Sequence, residues 1–213
     1  MARSVEQQVS IPVNEVWLDG TLSVPQGARG VVIFAHGSGS SRLSPRNTFV
    51  AGILQEAGLG TLLFDLLTRE EVASYPNRFN IDLLAARLVG VTCWLSARPE
   101  GKNLLFGYFG ASTGAAAALQ GAAEMGGVIK AVVSRGGRPD LAIAHLGSML
   151  APTLLIVGEF DHEVLQLNRE AFSHLRSVRE LAIVPGATHL FEEPGTLEKA
   201  ANLARDWFIR YLS

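Results

Sequence analysis

Cysteine is almost absent from this chain, since Cys93 is the single one among 213 residues. One cysteine cannot form an internal disulfide, which excludes the small secreted proteins that disulfides hold together. Residues 1–6 also lack the apolar core that a secretory signal peptide requires. We therefore expect a protein of the reducing cytoplasm.

An excess of one charge and long apolar runs are lacking as well. The formal net charge is only -2 and no cluster of lysine or arginine stands out, so we expect no nucleic-acid partner. Polar residues interrupt the apolar runs before they reach membrane-spanning length, and we expect no membrane partner. With 48% hydrophobic residues, the chain is nevertheless too apolar to be disordered. We expect one soluble domain over residues 1–213, monomeric or in a small homo-oligomer, that acts on a small molecule.

Short β-rich runs alternate with longer amphipathic stretches, which is the pattern of a parallel sheet with crossover helices. The first two runs alternate in polarity and predict an antiparallel edge, whereas the central runs are apolar throughout, as in strands buried on both faces. Strands are predicted at 4–11, 16–24, 30–35, 60–65, 104–109, 131–134, 153–157 and 180–184, and helices at 46–57, 80–95 and 196–211, with a loop over 66–79. The expected fold is α/β, a mostly parallel, doubly wound sheet of about eight strands with an antiparallel N-terminal edge.

The most informative motif is the pentapeptide Gly110-Ala111-Ser112-Thr113-Gly114. It follows the apolar run at 104–109 and opens an alanine-rich stretch, so it places Ser112 on a tight strand-to-helix turn. Such a turn holds the serine backbone in an unfavourable conformation and directs its Oγ away from the sheet. The flanking glycines are needed because a Cβ at either position would collide with the neighbouring strand or helix. Ser112 is therefore the candidate nucleophile.

A second motif, His36-Gly37-Ser38-Gly39-Ser40, directly follows the run at 30–35. Its small residues would let the chain pass close to the nucleophile with its amides turned inward. We therefore predict an oxyanion hole formed by the backbone N–H groups of Ser38 and Thr113. His36 and Gly37 would line the substrate pocket, with His36 fixing its own loop by hydrogen bonds. A glycine-rich connecting turn is the plain alternative, and a phosphate cradle is disfavoured because no Gly-Lys-Ser/Thr follows.

A candidate acid and a candidate base occur further along the chain. Asp161 follows the apolar run at 153–157 and would hold an imidazole in the productive tautomer, with Glu159 and Glu163 as rivals and helix capping as the plain alternative. His189 lies between the last predicted strand and the last predicted helix, where it can reach the serine, and His162 is the second choice. The nucleophile, acid and base thus appear in the order Ser112, Asp161, His189.

This order resembles the α/β-hydrolase superfamily and, within it, the compact dienelactone hydrolases. The segments that carry the resemblance are Gly-Tyr-Phe-Gly-Ala-Ser-Thr-Gly-Ala-Ala at 107–116 and Pro-Gly-Ala-Thr-His-Leu-Phe at 185–191, and it covers nearly the whole chain. It implies the α/β-hydrolase fold, here without a large lid. Dienelactone hydrolases usually carry cysteine at the nucleophile position, where this chain has Ser112. Cys93 is no substitute, because it lies in an apolar helical run where a buried thiol packs as a small hydrophobic group.

Two arginines lie in the segment Ser-Arg-Gly-Gly-Arg-Pro-Asp at 134–140, at the same predicted sheet edge. A guanidinium matches a carboxylate through two parallel hydrogen bonds, so Arg135 and Arg138 are candidates for binding a substrate carboxylate. In the plain alternative, Arg135 anchors the loop through backbone carbonyls, Arg138 is solvated and Asp140 caps the next helix.

The predicted function is a serine hydrolase that cleaves small carboxylic esters or lactones through an acyl-enzyme. His189 would remove the proton of Ser112 as its oxygen attacks the carbonyl, and the chemistry requires no metal and no organic cofactor. Two alternatives stay open. The same triad could serve thioester cleavage, C–C bond hydrolysis or perhydrolysis, or the fold could serve as a non-catalytic binding protein.

Overall fold

Eight strands form the sheet in the computed structural model of the chain, which describes residues 6–213. Their order across the sheet is β1-β2-β4-β3-β5-β6-β7-β8, with β1 antiparallel to β2, β2 antiparallel to β4 and the other neighbouring pairs parallel. The strands are β1 (Glu6–Val13), β2 (Val16–Ser23), β3 (Gly30–Ala35), β4 (Gly60–Phe64), β5 (Leu105–Ala111), β6 (Ile129–Arg135), β7 (Thr153–Gly158) and β8 (Arg179–Val184). The predicted α/β fold, with its antiparallel N-terminal edge, is confirmed.

Helices cover both faces of the sheet. They are α1 (Pro45–Glu56), α2 (Arg69–Ala73), α3 (Ile81–Ser96), α4 (Thr113–Met125), α5 (Ile143–Leu146), α6 (His162–His174) and α7 (Thr196–Leu212). One apolar core lies between the sheet and α3, α4, α5 and α6, and the other between the sheet and α1 and α7. Every residue of β3 is buried because both faces of this strand are covered, which explains its uninterrupted apolar run.

Two sequence predictions are wrong in detail. The predicted loop at 66–79 contains α2 and a 3₁₀ turn at Tyr75–Phe79, because Thr68 and Glu71 form a reciprocal capping box that starts a helix. Cys93 is exposed rather than buried, since it lies on the outer side of α3. Part of the predicted first strand, residues 4 and 5, lies outside the described residues.

The connections at the carboxyl ends of the parallel strands carry only short helices and turns before the next long element, as expected of a fold without a large lid. The connection from β6 to β7 contains only a 3₁₀ turn at Pro139–Ala142 and the four-residue helix α5. The carboxyl edge of the sheet is therefore open, and it is where the candidate residues of the site meet.

Among residues 6–213, no helix combines the length and apolar character needed to cross a bilayer.

Candidate active site

Ser112 lies on a strained turn between β5 and α4. Its φ is 52°, in a region that side chains other than glycine rarely adopt and that costs about 1–3 kcal/mol. Hydrogen bonds hold the turn: the Ser112 carbonyl accepts from the N–H groups of Ala115 and Arg138, each at 3.1 Å, and its N–H donates to the Arg135 carbonyl at 3.3 Å. The strain is thus maintained by β6 and α4 together, and it sets Ser112 at the carboxyl end of β5.

Three glycines surround this turn closely. A Cβ on Gly114 would lie 2.2 Å from the Ala35 carbonyl oxygen, and one on Gly110 would lie 2.4 Å from the Cα of Ala115. A Cβ on Gly37 would approach the Cβ of Ser112 to 3.0 Å, so the loop after β3 passes directly over the candidate nucleophile. The steric need for glycine at positions 110 and 114 is confirmed.

We expect Gly114→Ala to lower the free energy of unfolding by about 3 kcal/mol, because the added methyl group meets rigid backbone rather than a movable side chain. Gly52→Ala is the matched control, since a Cβ there has no atom within 4 Å and lies in α1, where alanine is about 1 kcal/mol better than glycine. Urea unfolding of both variants measures the difference. Equal stability of the two variants would contradict the steric role of Gly114.

Asp161 and His189 form a hydrogen-bonded pair. The Nδ1 of His189 lies 2.6 Å from Oδ2 of Asp161. Asp161 is the N-cap residue of α6, yet its side chain makes no capping hydrogen bond, so the helix-cap alternative does not account for it. Gly158 makes the pairing possible, because a Cβ there would lie 2.4 Å from the carbonyl oxygen of Ala187 in the loop that carries the histidine.

The rival residues lie differently. The carboxylate of Glu159 accepts a hydrogen bond from the backbone N–H of Gly186 at 2.8 Å. Glu163 and His162 lie in the first turn of α6, and the ring of His162 packs edge-on against the exposed Phe160. Neither carboxylate contacts His189, so the geometry favours Asp161 as the partner of the imidazole.

A cleft of about 240 Å³, here called the serine cleft, brings the candidate residues together. Ser112 and His189 both line it, although in the described chain no hydrogen bond joins the serine Oγ to the imidazole. Catalytic hydrogen bonds are often long before substrate binds. Other residues that line the serine cleft include Gly37, Ser38, Ser44, Arg46, Asn47 and Arg135. A second cleft of about 170 Å³ shares Gly37 and Ser38 and is lined by His36 and by apolar side chains such as Leu66 and Leu67.

The loop after β3 is fixed by hydrogen bonds on both sides. The N–H of Ser38 donates to Oγ1 of Thr113 at 2.8 Å, so this predicted oxyanion donor already has a protein acceptor. His36 is buried and joins two loops, since its Nε2 accepts from the N–H of Leu66 at 3.1 Å and its Nδ1 lies 3.0 Å from the Gly37 carbonyl oxygen. An imidazole with its proton on Nδ1 satisfies both contacts.

Burial lowers the pKa of His36 below its ordinary value, against the opposing effects of the Gly37 carbonyl and the Asp65 charge. The unfolded chain therefore binds a proton at this residue before the folded one does, and the stability associated with neutral His36 is lost as the pH falls below about 6.5. We expect His36→Asn to lose less free energy of unfolding between pH 7.5 and 5.5 than the unsubstituted protein. Urea unfolding across this range is the measurement, and His174→Asn, at an exposed histidine, should behave like the unsubstituted protein.

Arg135 and Arg138 have different surroundings. Arg135 is buried and lines the serine cleft. Arg138 makes a bidentate ion pair with Asp140, with nitrogen to oxygen distances of 2.9 and 2.8 Å, and this pair raises its pKa. Arg138 is not among the residues that line the serine cleft. The ion pair with Asp140 favours the plain alternative for Arg138, and its predicted substrate contact stays a prediction.

The sequence predictions missed the start of α1 as part of the site. Ser44 is the N-cap of this helix, and Ser44, Arg46 and Asn47 line the serine cleft. The Ser-Pro pair at 44–45 is a sequence signal for the start of this helix, because serine favours the N-cap and proline favours the first helical position. Within residues 6–213, no group of three or more histidine, cysteine, aspartate or glutamate side chains is arranged to hold a metal ion.

The chain is similar to known proteins over nearly its whole length. The sequence profile of the dienelactone hydrolase family matches residues 18–212. A crystal structure of a dienelactone hydrolase from Anabaena variabilis is 55% identical, covers 99% of both chains and superimposes with a TM-score of 0.96. An esterase of Pyrococcus furiosus, 20% identical over 99% of this chain and 94% of its own, has a TM-score of 0.82 and shows the fold alone.

Two Mycobacterium tuberculosis proteins, each named as a presumed phosphoribosyl transferase, are 56% identical over 207 residues, which are 97% of this chain and 47% of theirs. The chain thus spans about half the length of these relatives. The family profile extends from β2 to the last helix and includes Ser112, Asp161 and His189. On this match and the 55% identity to the Anabaena structure, the chain belongs to the dienelactone hydrolase family of α/β-hydrolases.

Proposed function

We propose that this protein is a serine hydrolase that cleaves small carboxylic esters or lactones through an acyl-enzyme on Ser112. The observation that carries the proposal is the 2.6 Å hydrogen bond between His189 and Asp161, beside a cleft that His189 shares with Ser112. With Nδ1 donating to the carboxylate, the Nε2 of His189 is the acceptor for the serine proton. A structural histidine and a structural serine would need no such combination of strained turn, partly buried acid and open cleft.

The reaction begins with attack of the Ser112 Oγ on the substrate carbonyl, while His189 takes the serine proton. Asp161 stabilises the imidazolium that forms. His189 then gives this proton to the leaving alcohol, and a water molecule repeats the sequence to release the acid and restore the serine. Each half-reaction therefore starts and ends with a neutral imidazole.

The negative charge that develops on the carbonyl oxygen needs donors close to Ser112. The N–H of Thr113 is one proposed donor, because it belongs to the residue after the nucleophile at the start of α4. The N–H of Ser38 is the second, and it would exchange the Thr113 hydroxyl for the oxyanion as the substrate carbonyl enters. The positive end of the α4 dipole adds to this stabilisation.

The name of the mycobacterial relatives describes proteins about twice as long as this chain, so it does not decide the activity of the segment they share. The family and the pairing of Asp161 with His189 both support hydrolysis. An ester is our choice of substrate because the serine cleft is small and open and an alcohol is an easy leaving group for one imidazole. Thioester cleavage, C–C bond hydrolysis and perhydrolysis remain the alternatives on the same triad.

The test is covalent labelling with a fluorophosphonate, followed by identification of the modified peptide, together with the rate of 4-nitrophenyl acetate hydrolysis. We expect the label on the peptide that contains Ser112 and hydrolysis above the rate without protein. Folded protein that takes no label and hydrolyses no member of an ester panel would overturn the proposal in favour of a non-catalytic role.

A further inference from the structure

Arg135 is a buried cation without a carboxylate partner among the described residues. Its side chain is 7% exposed, its Nη2 lies 3.4 Å from Oδ1 of Asn47 and its Nη1 has no hydrogen-bond partner there. Phe109 and Phe191 place their rings 5.8 Å from the guanidinium carbon. Burial, with a smaller effect from the charge of Arg46, lowers the pKa of Arg135 to about 10. The group is therefore still charged near neutral pH, and its charge is not neutralised by the protein.

An unpaired buried charge destabilises a folded protein. A bound anion would supply the negative charge that the described residues do not place beside Arg135. Arg135 ends β6 directly beside the nucleophile, because its carbonyl accepts from the N–H of Ser112 at 3.3 Å. Arg135 is one of the residues that line the serine cleft, together with Ser112 and His189. A ligand in this cleft that neutralises Arg135 would therefore also lie beside Ser112.

The first turn of α1 lines the same cleft and lies beside Arg135, whose Nη2 is 3.4 Å from Oδ1 of Asn47. This helix has 12 residues, and Ser44, Arg46 and Asn47 of its N-terminus line the serine cleft. The Oγ of Ser44 accepts from the N–H of Asn47 at 3.4 Å, which leaves the serine O–H free to donate. Arg46 reaches outward to Glu192, at 3.3 Å, on the solvent side. Pro45 has no N–H, and the N–H groups of Asn47 and Thr48 donate to Ser44, so the N–H of Arg46, the Ser44 hydroxyl and the helix dipole remain to attract an anion.

We propose that the substrate of Ser112 carries a phosphate group, which Arg135 and the first turn of α1 hold while the ester carbonyl lies against the serine. This inference rests on the proposed function. Donors reach the cleft from two elements, β6 and α1, so an anion with three terminal oxygens can bind donors of both elements at once, whereas the two oxygens of a carboxylate lie in one plane. A phosphate monoester carries a charge of about −1.5 to −2 near pH 7, which suits a site with a buried, unpaired guanidinium group beside a helix N-terminus.

The first experiment compares three 4-nitrophenyl esters in steady-state kinetics. They are the ester of phosphoglycolic acid, the monoester of succinic acid and the neutral ester of methoxyacetic acid. We expect the highest kcat/KM for the phosphorylated ester. Arg135→Gln should lower the ratio of kcat/KM for the phosphorylated ester to kcat/KM for the neutral ester by about 10- to 100-fold, because a hydrogen bond to a charged group contributes about that much. Arg135→Lys should lower this ratio by less.

Arg138→Gln is the matched control, because it removes an arginine of the same loop whose charge is paired with Asp140 on the surface. That variant should change the ratio by no more than about twofold. A preference for the succinate ester that depends on Arg135 would overturn the choice of phosphate in favour of a carboxylate. Equal kcat/KM values for the three esters would overturn the anion site altogether. So would a ratio of kcat/KM values, phosphorylated ester to neutral ester, that Arg135→Gln leaves unchanged.

The second experiment measures binding without ester chemistry. Inorganic phosphate should raise the unfolding temperature of the unsubstituted protein and of Ser112→Ala, relative to sodium chloride of equal ionic strength, and should not do so for Arg135→Gln. Circular dichroism checks that each variant is folded. Phosphate binding that requires Arg135, in a protein that hydrolyses no ester, would refute the proposed function and leave the anion site in place. No binding by any form would refute the anion site.

Discussion

Ser112→Ala is expected to reduce 4-nitrophenyl acetate hydrolysis by about 10⁶-fold in kcat. The reason is that Ser112 is the residue that the strained turn between β5 and α4 presents to the serine cleft, next to His189. Groups that bind the substrate and the oxyanion would remain, so a residual acceleration of about 10³- to 10⁴-fold over water is expected. Active-site titration with a fluorophosphonate gives the enzyme concentration for this comparison.

Cys93→Ala is the control for this variant. Its thiol is exposed on α3, and it is the only cysteine of the chain, so a thiol-based activity would have to use it. We expect Cys93→Ala to hydrolyse and to label like the unsubstituted protein. Activity that survives Ser112→Ala but disappears with Cys93→Ala would show that the nucleophile has been assigned to the wrong residue.

The framework of the fold could be predicted because it depends on local composition. Strands buried on both faces, such as β3, must be apolar throughout, and that run is visible in the sequence. The convergence of Asp161 and His189 could also be predicted, since loops at the carboxyl ends of parallel strands meet at one edge. Helix α2 was missed although the capping box of Thr68 and Glu71 is a local signal, so this error was avoidable.

Other features of the site depend on three-dimensional packing and have no local signal. Whether Arg135 is buried or solvated is decided by Phe109 and Phe191, which come from β5 and from the loop after β8. That Ser38 would donate to the side chain of Thr113 depends on how closely two distant loops approach. A pattern of residues predicts which side chains meet at the sheet edge. Which of these side chains pair depends on differences in position of about one ångström, and the pattern does not give them.

Asp161→Asn is expected to lower kcat for ester hydrolysis by about 10⁴-fold. An asparagine in this place would offer its N–H₂ group to Nδ1 of His189 and so favour the tautomer with the proton on Nε2. That tautomer cannot accept the proton of Ser112, and the imidazolium would also lose its neighbouring negative charge. Stability should change little by comparison, because the Asp161 side chain makes no hydrogen bond to the N-terminus of α6. The measurements are kcat, the rate of fluorophosphonate labelling and urea unfolding.

Two neighbouring carboxylates supply matched controls for this variant. Glu159→Gln removes a charge two residues away whose hydrogen bond is to the N–H of Gly186, and Glu163→Gln removes one from the first turn of α6. Neither side chain contacts His189, so both variants should keep kcat within about tenfold of the unsubstituted protein, as expected for a screened charge that touches no reacting group. A loss of about 10⁴-fold in Glu163→Gln with an active Asp161→Asn would mean that the imidazole turns to a different acid when substrate binds. The pairing of Asp161 with His189 would then describe the resting protein and not the catalyst.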